Sequence, residues 1–229
     1  ANSKSRKMTI AVDAMSGVYG VRVCVPAALA MARENPALTI ILVGDKLVLE
    51  PMVPAKLSEQ VRIQHSSEIV TMDEKPADAL RKKKDSSMRV AINLVKQGDA
   101  DACVSAGNTG ALMATAKFVL KTLPGIDRPA IMSAVPAIGG HTHMLDLGAK
   151  AECSADQLFQ FGVMGSVVAA DFHGMKAPRV GLLNIGSEEG KGNDTVREAH
   201  GLLKASTLNY VGFVEGNDIF RGTVDVVVT

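Results

Sequence analysis

The chain has 229 residues, 47% apolar and 21% charged, with a net charge of +1. That is enough for one large α/β domain or one and a half smaller ones, with no global field to attract nucleic acid or a strongly acidic partner. Aromatic residues make up 3% with no Trp, against stacking platforms for bases or sugars, and Cys24, Cys103 and Cys153 form no CxxC pair, against a disulfide framework or a zinc knuckle.

Residues 1–7 are polar and basic and read as a disordered lead-in or tag remnant, since no signal-peptide apolar stretch follows. No apolar run approaches membrane-spanning length, and a reducing cytoplasm suits the scattered cysteines. Strand and helix signals then alternate. Met8 to Asp13 is a strand and Arg22 to Glu34 a helix that stops before Asn35-Pro36. Thr39 to Val43 and Val61 to His65 are strands, followed by helices over Pro76 to Lys84 and Ser86 to Lys96. Ala102 to Val104 is a strand that leads through a small-residue turn into a helix from Thr109 to Lys121. Strands at Ala130 to Val135 and His143 to Leu147, joined by a Pro136 to Gly140 turn, are close enough to pair antiparallel. Leu158, Phe161, Gly165, Val168 and Phe172 mark one face of a helix. Val180 to Ile185 is a buried strand, Asn193 to Lys204 a helix with Val196, Ala199 and Leu203 inward, and Asn209 to Phe213 and Val224 to Val228 are strands.

This alternation predicts an α/β fold with a mainly parallel, doubly wound sheet over residues 8–229 and a subdomain boundary near 124–129. Because Val226-Val227-Val228 reads as a central strand, a loop and a helix are expected to follow it, which makes the domain incomplete at its C-terminus. Ligands of such sheets sit beyond the carboxyl ends of the strands, so the informative loops follow Val12, Val104, Leu147 and Ile185.

The stretch Ser105-Ala106-Gly107-Asn108-Thr109-Gly110 carries the strongest signal. A strand, a turn of small residues and a helix place free backbone N–H groups at the positive end of a helix dipole, a geometry that binds phosphate. Gly107 and Gly110 let an anion approach the backbone, and Ser105, Asn108 and Thr109 add side-chain hydrogen bonds. Read alone, the same turn is equally a tight connection without a ligand. It is neither a Walker A loop nor a GxGxxG fingerprint.

Asn184-Ile185-Gly186-Ser187-Glu188-Glu189-Gly190-Lys191-Gly192-Asn193 also lies at a strand end. Lys191 places a cation beside a phosphate or a developing oxyanion, with Glu188 or Glu189 to orient it; the alternative is a solvated loop. Asp146-Leu147-Gly148 and Asp13-Ala14-Met15-Ser16-Gly17 either line a cleft or make plain turns. Arg81-Lys82-Lys83-Lys84 is a solvated helix face or a dock for an acidic protein or phosphorylated ligand. His141 and His143 share a strand face but have no evident third ligand, so no metal is expected. No GxSxG elbow or Cys–His pairing supports a side-chain nucleophile.

Several segments together match one family. Ile10-Ala11-Val12-Asp13-Ala14-Met15, Arg81 to Met88, Val104 to Leu112, Met144-Leu145-Asp146-Leu147-Gly148-Ala149, Pro178 to Gly186, Lys191-Gly192-Asn193 and the final Asp225-Val226-Val227-Val228 occur in the order found in bacterial phosphate acyltransferases of the PlsX family, which the chain resembles from about Met8 to Thr229. The resemblance implies an α/β/α fold like phosphotransacetylase and the isopropylmalate dehydrogenases. It implies transfer of a fatty acyl group from acyl carrier protein to inorganic phosphate, giving acyl phosphate for phospholipid synthesis. It also implies a homodimer, peripheral membrane contact from the cytoplasm, and no organic cofactor. Phosphate is its own nucleophile, which explains the missing triad. Lys191 and Asn108 are singled out as catalytic, and Ser105, Gly107, Thr109, Gly110, Asp146, Asn184, Gly186 and Glu188 as binding phosphate or acyl group.

The chain departs from the family pattern at Ser16, Val18 and Val21, which replace a Gly, an Asp and a Pro, and at Lys150 and Gly190. The pattern also continues past the final valine strand with an active-site loop and further helices. Two rival readings stand beside the first: an acetyl-coenzyme A phosphotransacetylase-like enzyme, and a non-catalytic copy that binds carrier protein through Arg81 to Lys84.

Overall fold

The computed structural model describes residues 7–148, 152–186 and 191–229. They divide between Lys121 and Thr122 into two units, each with its own sheet and core.

In the first unit, β1 (Met8–Asp13), β2 (Leu38–Gly44), β3 (Val61–His65) and β4 (Ala102–Ser105) form an all-parallel sheet in the order β3-β2-β1-β4. The uninterrupted apolar run of β2 reflects helices on both faces, since every residue from Thr39 to Gly44 is buried. On one face α1 (Val21–Glu34) turns Val25, Ala28, Leu29 and Ala32, a helical stripe, onto Ile40 and Leu42. On the other, α4 (Ser87–Gln97) packs Ala91 and Leu94 on Ala11, Ile41 and Val43. The short α2 (Lys46–Leu49), capped by the Asp45 carboxylate, was not anticipated. The α3 helix (Pro76–Lys82) and α5 (Thr109–Leu120) share with α4 a cluster of Ala79, Met88, Ile92, Ala111 and Val119.

The second unit holds β5 (Met132–Ala137), β6 (Gly140–Leu145), β7 (Val180–Leu183), β8 (Tyr210–Val214) and β9 (Val226–Val228), ordered β5-β6-β9-β7-β8. The β5–β6 hairpin is antiparallel and the other pairings among these strands are parallel. The β9 strand is fully buried between β6 and β7, as its three consecutive valines require. The α6 helix (Ala155–His173) and α7 (Asp194–Lys204) bury Leu158, Phe161, Ala199 and Leu203 against Leu145, Val180, Leu182, Val226 and Val228.

Among the described residues the strands thus form two sheets where one was expected. In the hairpin, pairing runs to Ala137 and Gly140, so the turn is only Ile138-Gly139, with Gly139 at φ 79°, and Pro136 lies inside β5. An edge strand tolerates that proline because one side of it needs no donor. Phe172 points to solvent, 80% exposed; Ala169 closes the inner face of α6 instead.

Candidate functional site

In the first unit the ends of β1 and β4 lie side by side, with Asp13 in register with Ser105. The Asp13 carboxylate is buried and accepts from the Ser105 hydroxyl at 2.7 Å and from the Ser16 amide at 3.3 Å. Ser105 Oγ in turn accepts from the Gly107 amide at 3.1 Å. The hydroxyl and amide expected to meet an anion are thus committed to the turn itself.

Asn108 is committed as well. Its Oδ1 caps α5 by accepting from the Ala111 amide at 3.0 Å. Its Nδ2 donates to the carbonyls of Thr71, Met72 and Glu74 at 3.3, 3.0 and 2.8 Å. Lys83 holds the same loop from below, paired with Glu74 at 2.7 Å and donating to the Ile69 carbonyl. Lys82 pairs with Asp78, so half of the basic run Arg81 to Lys84 serves local structure.

The two glycines also have packing reasons. A Cβ on Gly107 would lie 2.7 Å from Ser16 Cβ and 3.0 Å from Met88 Cε, and one on Gly110 2.9 Å from Pro76 Cγ. Protein atoms fill the space on those faces that an anion was expected to use.

What the turn leaves open is narrower. The first four amides of a helix have no partner within it. Ala111 gives its amide to the Asn108 side chain and Leu112 to the Asn108 carbonyl. The Thr109 and Gly110 amides remain at the positive end of the dipole, beside an exposed Thr109 side chain. Cys24 and Cys103 are no rival nucleophiles here, because burial first and the Asp13 charge second push both thiols up and keep them neutral.

In the second unit Asp146 is buried and paired. Its Oδ2 accepts from Arg128 Nη2 at 2.8 Å, and its Oδ1 from the Ile131 amide at 2.8 Å. Arg128 also donates to the Pro129 carbonyl and lies 4.7 Å above the Phe161 ring. The family-like Asp146 is thus a fixed anchor rather than an open ligand, and sequence reading missed Arg128, its partner. The only signal would have been a lone arginine before a proline, which has no period.

Asp146 also borders a cavity of about 480 Å³ lined by Cys153, Leu158, Asn193, Thr195, Val196 and Thr229. Here α7 begins, with Asn193 Oδ1 capping the Val196 amide at 2.9 Å, so the cavity meets a second helix N-terminus. Asn184 holds the adjoining loop: its Nδ2 donates to the Lys191 carbonyl at 3.1 Å, and a side chain on Gly192, at φ 92°, would collide with it. Lys191 is exposed and Gly186 is buried. Glu188, Glu189, Gly190 and Lys150 lie outside the described residues. A further cavity of about 380 Å³ in the first unit, walled by Ile10, Val12, Val23, Met31 and Val104, is almost wholly apolar.

Among the described residues no helix is long and apolar enough to cross a membrane. Residues 8–229 match the model of a family described as fatty acid synthesis protein. The chain is 59% identical over 224 residues to a phosphate acyltransferase of Methylococcus capsulatus, covering 96% of this chain and 66% of the relative. It is 60% identical over 230 residues to one of Alkalilimnicola ehrlichii, covering 98% and 66%. The chain thus spans just under two thirds of the length of these relatives. A phosphotransacetylase from Staphylococcus aureus superposes with a TM-score of 0.64 at 19% identity over 97% of this chain and 77% of its own. A branched-chain phosphotransacylase from Enterococcus faecalis does so with 0.60 at 16%, over 96% and 78%. At those identities the structures speak for the fold, whereas the match over nearly every described residue places the chain in the fatty acid synthesis protein family.

Proposed function

We propose that the protein is a phosphate acyltransferase that moves a fatty acyl group from acyl carrier protein to inorganic phosphate, giving acyl phosphate for phospholipid synthesis. The observation that carries this reading is the identity of 59–60% to proteins of that name along almost the whole chain. A phosphate oxygen attacks the thioester carbonyl, a C–O bond forms, and the C–S bond breaks to release the carrier thiol. Phosphate needs no activation at neutral pH; the enzyme must hold it against the charge that develops at the carbonyl oxygen. In this reading the Thr109 and Gly110 amides, open at the start of α5, receive phosphate, and Lys191 supplies positive charge to the oxyanion, a role that comes from the resemblance. Asn108 and Ser105 position the turn that presents those amides, and Asp146 fixes its own loop in the second unit. Acyl carrier protein as donor, a homodimer and peripheral membrane contact belong to this proposal and come from the resemblance.

The geometry offers a narrow test. Proline is tolerated at the first position of a helix, and Asn108, at φ −59°, ψ 113°, already lies outside the α region that a following proline disfavours. Thr109→Pro therefore removes one amide and one hydroxyl without breaking α5, and Thr109→Val removes the hydroxyl alone. Acyl phosphate formation from acyl carrier protein thioester should show KM for phosphate raised by about tenfold in Thr109→Pro and less in Thr109→Val. Lys191→Met should lower kcat by about 10²–10³ with KM for phosphate little changed. Unchanged kinetics in all three would remove this site, and a preference for acetyl-coenzyme A would favour the rival donor.

A further inference from the structure

The second unit gathers three of the five histidines of the chain at one place that the acyl transfer does not use. His141 and His143 point from the same face of β6, and His173 ends α6 above them. The His143 and His173 Nε2 atoms face each other at 3.4 Å, with ring centroids 5.0 Å apart and planes at 49°. His141 lies parallel to His173, at 6.4 Å and 12°.

Two features of this cluster need a cause. His143 is buried and its Nδ1 has no partner, so its polar anchoring falls on Nε2 alone. There it meets another imidazole nitrogen at a separation long for a direct N–H···N bond, which prefers about 2.9–3.0 Å. The separation does suit a shared ion. Two nitrogens each about 2.0–2.1 Å from a tetrahedral zinc ion stand about 3.3–3.4 Å apart.

We propose that His143 and His173, joined by His141, bind a divalent transition-metal ion of the zinc type in the second unit. Among the described residues no three His, Cys, Asp or Glu side chains already surround a common point. The site therefore starts as a two-imidazole anchor. Rotation of the exposed His141 side chain and water complete the four positions. Neutral imidazoles without thiolate or carboxylate favour zinc, copper or nickel over magnesium or calcium. The ion pins the β5–β6 hairpin to the end of α6, a structural role separate from acyl transfer.

The test is titration of the chain with zinc sulfate in competition with a chromophoric chelator, with thermal unfolding followed in parallel. The proposal expects one zinc per chain at micromolar affinity and a zinc-dependent rise in Tm. His173→Ala is the informative variant, because His173 is exposed and its loss leaves the core intact. It should weaken zinc by at least about tenfold and abolish the Tm rise, His141→Ala should weaken it less, and His65→Ala in the first unit should bind like the parent. No zinc uptake at sub-millimolar concentration, or equal affinity in the parent and His173→Ala, overturns the proposal. The acyl-transfer reading survives either result, since its assay depends on Thr109 and Lys191.

Discussion

The strand-end turn of the first unit and the strand-end aspartate of the second satisfy their buried polar side chains by different means. Asn108 is neutral and spends four hydrogen bonds on backbone, one on the amide that opens α5 and three on the carbonyls of residues 71–74. Asp146 is charged and depends on one guanidinium, with 1% of its side chain and 10% of that of Arg128 exposed. A neutral group that loses a partner forfeits a hydrogen bond or two, whereas a buried charge that loses its counter-ion keeps its whole desolvation cost. The same contrast separates fixing from binding. Both family-like side chains are consumed in fixing a loop, so the proposed phosphate site rests on main-chain amides.

The sharpest way to break this comparison is to remove the guanidinium. Arg128→Ala leaves the Asp146 carboxylate buried with only the Ile131 amide, and it uncovers the face of Phe161. It should destabilise the chain by about 3–5 kcal/mol in urea unfolding. Arg128→Lys keeps the charge but cannot reach both Asp146 and the Pro129 carbonyl, so it should fall between Ala and the parent. A cost for Arg128→Ala below that of any Asn108 variant would reverse the ranking of the two regions.

How much of this was legible in the sequence follows from the range of each interaction. The elements were readable because their signals are periodic and local: β2 as an apolar run, α7 as a helical stripe, and α1 by its stop before Asn35-Pro36. The strand-end loops were readable as candidate places, but the hydrogen bonds that their side chains make were not. Ser105 reads as a phosphate ligand from the sequence, and only the fold shows that its hydroxyl donates a hydrogen bond to Asp13, on a strand far away in sequence. Asn108 reads as catalytic from the sequence, and only the folded loop over residues 71–74 shows that its Nδ2 is tied to backbone carbonyls. Neither partner has a fixed spacing, so neither can be found by pattern. The division of the sheet was hidden for a similar reason. Strand order depends on which edges pair: β9 reads as a central strand, but its valines do not say that β6 and β7 flank it.

Asn108 sharpens the comparison from the other side. Asn108→Ala removes the cap and the donor to three carbonyls, an expected loss of about 2 kcal/mol. Asn108→Asp separates the two halves of its work. The carboxylate still caps α5 and suits the helix dipole, yet it faces the carbonyls of Thr71, Met72 and Glu74 without a proton to give. If the loop tie matters more than the cap, Asp at this position is the worse of the two at neutral pH. It should recover as the pH falls and the carboxyl is protonated, because only the protonated form can donate. Unfolding midpoints at pH 7 and pH 4 read both effects.

The smallest effect concerns a residue by which the chain departs from its family pattern. Ser16 stands where that pattern has glycine, and its side chain is buried against the turn, with its Oγ lacking a partner. A buried hydroxyl without a hydrogen bond costs about 1–3 kcal/mol. Ser16→Ala removes that hydroxyl and keeps the Cβ that packs against Gly107, so it should stabilise the chain by about 1 kcal/mol. Ser16→Gly also deletes the Cβ and frees the backbone in the unfolded chain, which offsets part of the gain. Alanine more stable than serine, with glycine between them, would mark the hydroxyl as a local cost that the Asp13–Ser105 pair next to it does not relieve. Serine more stable than alanine would mean that its Oγ finds a partner in solution, and the turn would then carry one more bonded hydroxyl beside Gly107.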